Sequence, residues 1–408
     1  MLSEETIEKL VERLVTRLQA GNEYVLREIG KTIKAIGGLN QTKAMQLAQM
    51  IKYGGDYDKI INHLNKITGI NVKELDKIFN EVAKEDYEFA EQFYKYRNLK
   101  YIPFEENTIL QNQLKAIKEV AEKEYVNLSN TTMIGFGIRD INDKSKIIFK
   151  GLKEEYYDLI DEAVLMVSQG KETFEKTMFR RIKELGESGL RVVYPTTYIN
   201  KDGEEVNRTM RLDSAIRMNM HQSIRELHNK VQEEIGKEFG ADGIEITVHA
   251  VPAPDHALLQ GKQFSLDEYT KLQNQERALT YDGVIIPANE HRRKISTLNC
   301  YHKEFRIILG VSKPSYSNEE LIQILMENDK GFEFEGKHYT RYEGTQLQRN
   351  IELQVRKLKD YKAIAEESGD DEGVQEARGK IKTLLGKYKQ LSEVSGLSPR
   401  AERLRKVV

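Results

Sequence analysis

Leu212-Asp213-Ser214-Ala215-Ile216-Arg217 opens a run that continues to Phe239, stops at Gly240 and gives way to Gly243-Ile244-Glu245-Ile246-Thr247-Val248-His249. The first part reads as a long helix with Gly240 as its C-cap, because glycine accepts the left-handed conformation that ends helices. The second alternates apolar and polar residues, the pattern of a half-buried strand. Downstream, Val284-Ile285-Ile286 and Phe305-Arg306-Ile307-Ile308-Leu309 read as further strands, and Gly331 to Tyr339 as a hairpin turning at Glu335-Gly336. From about Gln346 the helical period returns. Leu347, Ile351, Val355 and Leu358 share one face, with Arg349, Arg356, Lys357 and Lys359 around it. The polar turn Ser368 to Gly373 separates this helix from a second basic one over about 374–394.

Upstream, Tyr198 to Val206 reads as a hairpin, since Lys201-Asp202-Gly203 supplies a tight turn. Leu190 to Tyr194 is a short strand, and 156–168 and 173–185 are amphipathic helices. The first 125 residues read as helices. Ile7, Leu10, Val11, Leu14 and Leu18 keep three-and-four spacing, and Ser3 before Glu4 and Glu5 resembles an N-cap. Gly37-Gly38 and Gly54-Gly55 interrupt the pattern, Asn71-Val72-Lys73 opens a new helix, and a long one covers about 107–125. Tyr87, Phe89, Phe93, Tyr94 and Tyr96 at helical spacing read as core. The fold class is α+β in four parts: a helical region over 1–125, a mostly helical middle with a short hairpin over 126–240, a small antiparallel-sheet domain over 241–345, and basic closing helices over 346–408.

Bulk properties bound the function. The 408 residues are 31% charged and 39% hydrophobic, enough for a sizeable core. A net charge of −2 gives the whole molecule no general attraction for nucleic acid. One cysteine rules out an intramolecular disulfide and fits a reducing compartment. No apolar run approaches the roughly 20 residues of a membrane span, and Met1-Leu2-Ser3-Glu4-Glu5 lacks the layout of a signal peptide. No Trp and only 7 Pro suit a largely helical chain.

Chemistry-bearing residues crowd one stretch. His249, His256, His291, Cys300 and His302 fall within roughly fifty residues, together with Gln260-Gly261-Lys262 and Asn299. His249, His256, Cys300 and His302 are types that bind zinc, although their spacing is not that of a zinc finger. The same residues fit a hydrogen-bonded cluster that braces loops. In a third reading His256 acts as general base with Lys262 and Gln260 stabilising an anion, or Cys300 pairs with His302 as nucleophile and base. The basic residues Lys380, Lys382, Lys387, Lys389, Arg400, Arg403, Arg405 and Lys406 form either a solvated helix face or a contact for DNA phosphates or an acidic protein.

The order of these motifs resembles the phage minor capsid protein 2 family. That family has an Arg-bearing helix, matched at Arg217, and a strand ending in histidine, matched at His249. Its His-Ala-x-x-Gln-Gly-Lys loop is matched from His256 to Lys262, and its Asn-Cys-Arg-His turn by Asn299-Cys300-Tyr301-His302. Gly396-Leu397-Ser398-Pro399-Arg400 is also similar. Two arginines of the family pattern are absent, one replaced within Val251-Pro252-Ala253 and one by Tyr301. Their loss fits bracing better than chemistry on an anionic substrate. The resemblance implies a structural minor capsid or head-morphogenesis protein of a tailed phage or prophage, similar in role to Mu F-like head proteins. It implies assembly in the host cytoplasm, a place in the virion head, and the portal protein, the major capsid protein and a scaffold as partners. The N-terminal helices would dock on these partners, and the basic helices on packaged DNA. No membrane and no cofactor follow from it. Two alternatives stand beside it: a head-carried, metal-independent ribonuclease or toxin with a barnase- or RelE-like domain, and a zinc-stabilised interaction module.

Overall fold

The first helix, α1 (Glu4–Gly37), buries a row that includes Ile7, Leu10, Val11, Leu14, Leu18, Val25, Leu26, Ile29, Ile33 and Ile36. This row is the apolar stripe that the periodicity predicted. The computed structural model describes residues 4–140, 146–199, 205–274, 279–281, 284–286, 294–297 and 300–404. The Ser3 cap, the 201–203 turn, His291, Asn299, Arg405 and Lys406 lie outside that set.

The remaining N-terminal helices are α2 (Gln41–Tyr53), α3 (Asp56–Arg97) and α4 (Thr108–Leu128). No new helix opens at Asn71, because α3 runs straight through it. Asn71 is fully buried there. Its amide donates to the Leu14 carbonyl at 3.1 Å and the Tyr125 hydroxyl at 2.7 Å, and it accepts from Arg17 at 3.2 Å. Its cap-like chemistry serves tertiary partners instead of a helix start.

The middle of the chain holds more sheet than expected. A four-stranded antiparallel sheet in the order β2-β1-β3-β4 is built from β1 (Ile134–Arg139), β2 (Ile147–Gly151), β3 (Arg191–Ile199) and β4 (Glu205–Arg211). The helices α5 (Leu152–Val167) and α6 (Lys171–Ser188) lie between its two halves in sequence. Then comes α7 (Leu212–Phe239), ending at Gly240 with φ 67°, as predicted.

The small sheet has β5 (Gly243–Ile246) in the centre, flanked by β6 (Gln263–Ser265) and β9 (Glu304–Ile307). Between these edges in sequence lie α8 (Leu266–Asn274) and a hairpin of β7 (Leu279–Tyr281) and β8 (Val284–Ile286). Next come α9 (Asn318–Lys330) and the hairpin β10 (Phe332–Phe334) and β11 (Lys337–Tyr339), which turns at Glu335-Gly336. The closing helices are α10 (Arg341–Ser368), α11 (Asp371–Ser395) and the short α12 (Ala401–Leu404).

One hydrophobic core runs from Ile7 of α1 to Ala377 of α11 and takes in β1, β3 and α7. The helices α1 and α6 both pack on α10. At Gly186 the α6 backbone touches α10 so closely that an added Cβ would overlap the Tyr361 backbone. A second, smaller core of Ile244, Ile246, Leu259, Phe264, Tyr269, Leu272 and Ile295 lies on the small sheet. No helix among the described residues is long and apolar enough to cross a membrane.

Candidate functional site

The site is made where the β5 and β9 strands run past their ladder. Thr247 N–H donates to the Lys303 carbonyl at 3.1 Å, and Lys303 N–H to the Thr247 hydroxyl at 2.9 Å. This pairing sets His249 and His302 side by side, with ring centroids 4.4 Å apart at 72°. The third histidine arrives on a tightly wound loop. His256 N–H donates to Ala253 O, and Leu259 N–H returns to His256 O at 3.0 Å. Gly261 N–H then donates to Ile246 O at 2.8 Å, which closes the loop onto β5. Gly261 has φ 70°, and a Cβ there would lie 2.5 Å from Leu321 Cδ2, so only glycine fits.

The side chains converge. Cys300 Sγ lies 3.3 Å from His256 Nδ1 and 3.4 Å from His302 Nδ1. All three residues are buried, at 1–3% exposure. Gln260 Oε1 accepts the His249 backbone N–H at 2.9 Å and lies 3.4 Å from His302 Nε2. The Asp255 carboxylate stands 3.6 Å from His256 Nε2. His249 faces another way, with its Nδ1 3.2 Å from Glu4 Oε1. Three of the four zinc candidates, His256, Cys300 and His302, thus form one group. Lys262 serves through its backbone carbonyl, which accepts from Ile246 N–H at 3.2 Å. It is not among the residues lining the neighbouring cleft.

That cleft, of about 650 Å³, has His249, His256, Cys300 and His302 on one wall. Its other walls come from distant sequence: Glu4, Glu5 and Glu8 of α1, Arg349 of α10, and Arg400 and Arg403 at the chain's end. Glu8 was not singled out in the sequence, and Arg349 was read only as a charge on a helix face, because positions this far apart carry no local signal. Glu8 meets His221 Nε2 at 2.8 Å and Arg403 at 2.5 Å. Burial opposes ionisation of Glu8, but His221 and Arg403 outweigh it and hold the carboxyl well below its usual range. Glu352 accepts from Arg400 and from the Tyr388 hydroxyl, both at 2.9 Å.

Arg217, prominent in the sequence, lies away from this cleft. It forms a buried, two-nitrogen pair with Glu12 of α1 at 2.6 and 3.0 Å. Nearby, Asp213 is gripped by Arg211 at 3.3 Å and Arg356 at 3.0 Å, and Arg211 also reaches Asp360 at 2.6 Å. Burial alone would raise the Asp213 carboxyl, yet the surrounding arginines hold it well below the ordinary range.

The family model for phage minor capsid protein 2 matches residues 2–392. The chain belongs to the phage minor capsid protein 2 family. A curated relative, named "Structural protein", from Lactococcus phage LL-H is 26% identical over 246 residues. That match covers 58% of this chain and 57% of the relative, so it spans little more than half of either protein. No solved structure matches the chain. In this minor capsid protein 2 member, Gln260 accepts the His249 backbone N–H, and Gly261 N–H donates to the Ile246 carbonyl of β5. The Arg of its Arg-bearing helix ties α7 to α1.

Proposed function

We propose that this chain is a structural protein of a tailed-phage head, assembled in the host cytoplasm and bound beside the portal. The family match over residues 2–392 carries the reading. The disposition of charge supports it. Arg211, Arg217, Arg356 and Arg403 all point inward to carboxylates of the same chain. The closing helices are also largely neutralised internally: Lys380 pairs with Glu376, Lys387 with Glu335 and Arg400 with Glu352. Fewer cations are then left for DNA phosphates, so a protein surface is the better partner. Met45, Met50 and Tyr53 on α2 are 52%, 68% and 88% exposed, and large apolar side chains left open on one helix suit docking on a partner such as the portal.

The test is quantitative mass spectrometry of purified particles. The chain should be present in mature heads at a copy number near that of the portal and far below that of the major capsid protein. Its absence from mature particles would overturn the reading.

A further inference from the structure

We propose that His256, Cys300 and His302 bind a zinc ion. Their ligand atoms lie within 4.8 Å of one another, and the two sulfur–nitrogen separations are 3.3 and 3.4 Å. A thiolate at about 2.3 Å and an imidazole at about 2.1 Å on a tetrahedral zinc are about 3.6 Å apart. The two sulfur–nitrogen pairs therefore already sit at ligand spacing, within a few tenths of an ångström.

The acceptors around the two rings point the same way. Gln260 is oriented by the His249 N–H that its Oε1 accepts, so it faces His302 Nε2 with an acceptor. His256 Nε2 faces the Asp255 carboxylate, also an acceptor. Both Nε2 atoms are thereby favoured as the protonated ones, and both Nδ1 lone pairs turn to Cys300 Sγ. A cation between the three atoms serves both nitrogens and the sulfur together. Acceptors behind the non-ligating ring nitrogens are also the usual outer shell of metal-bound histidines. On binding, the Cys300 thiol gives its proton to solvent and coordinates as thiolate.

The ligands come from two separate segments, the 253–262 loop and the turn at 300–302, and the ion would clip one to the other. The same three residues line the cleft, and three protein ligands beside an opening are the make-up of a zinc site that keeps one position for solvent. The inference is independent of where the chain sits in the particle.

Cobalt substitution tests it on the full chain. Metal-depleted protein is titrated with Co²⁺ and then with Zn²⁺. Cys300 is the one cysteine of the sequence, so any thiolate-to-cobalt charge-transfer band reports it alone. The band should saturate at one ion per chain, disappear on adding zinc and be absent in Cys300→Ser. His256→Gln should weaken binding by about tenfold or more. A wild-type chain that shows no band, or Cys300→Ser that holds zinc as tightly as wild type, overturns the proposal. If Cys300→Ser fails to fold, the wild-type spectrum decides the matter without it.

Discussion

A buried guanidinium needs an anion within reach, and Arg217 finds one 205 positions away at Glu12. The motif made Arg217 visible in the sequence, but nothing there disclosed its partner. Arg217→Ala leaves Glu12 buried and unpaired, so it should cost roughly 3–5 kcal/mol, read as a lower denaturant midpoint. Replacing both residues with apolar ones of similar volume should recover most of that loss. An unchanged midpoint for the alanine variant would show that the pair contributes nothing. The histidine–cysteine group was more legible, because Cys300 and His302 are neighbours in sequence and His256 sits in a motif of its own. Asn71 was misread for the opposite reason. Its residue type argues for a cap, and only the tertiary fold places Leu14 and Tyr125 around it.

Elements with a clear pattern were read well: α1, α7 and the Glu335-Gly336 hairpin lie where the pattern put them, and α10 begins at Arg341, about five residues before the expected Gln346. The strands β1 and β2 escaped. Ile134-Gly135-Phe136-Gly137-Ile138 does alternate, but its small partner is glycine instead of a polar residue, and β1 is buried along nearly all its length. Such a strand gives no polar face to recognise. Glycine has the same hidden role between helices. At Gly186 the bare backbone lets α6 rest on Tyr361 of α10. Gly186→Ala should therefore destabilise by about 1–3 kcal/mol through overpacking, even though alanine is the better helix former. Thermal melts of the variant check this, and a rise in Tm would mean that α10 moves aside at no cost.

At the scale of the whole molecule, stability should depend on pH in two opposed ways. Glu8 and Asp213 have folded-state pKa values well below the ordinary range, through the His221 hydrogen bond and Arg403 at Glu8 and the surrounding arginines at Asp213. Their contribution is full above the ordinary carboxylate pKa of about 4 and is lost as the pH falls below it, because the unfolded chain takes up protons first. Glu155 behaves in the reverse sense. Burial, partly offset by Arg181 and Lys150, pushes it up to about 7. The folded state holds that proton more tightly, so stability declines as pH rises from the ordinary value toward 7. Melts across this range should show a maximum on the mildly acidic side of neutrality, and Glu155→Gln should flatten the neutral limb while leaving the acid limb unchanged. A neutral limb as steep in Glu155→Gln as in wild type would remove Glu155 as its cause. The packing of α1 on α10 also has a meaning in time. About 300 residues separate the end of α1 from the start of α10, and at ordinary translation speeds the ribosome needs about 15–60 s to make them. Throughout that interval the part of the α1 stripe that α10 covers lacks its final partner, although α3, α5 and α7 reach the helix sooner. The order of the elements thus leaves that face of α1 open to a chaperone until the last helices are made.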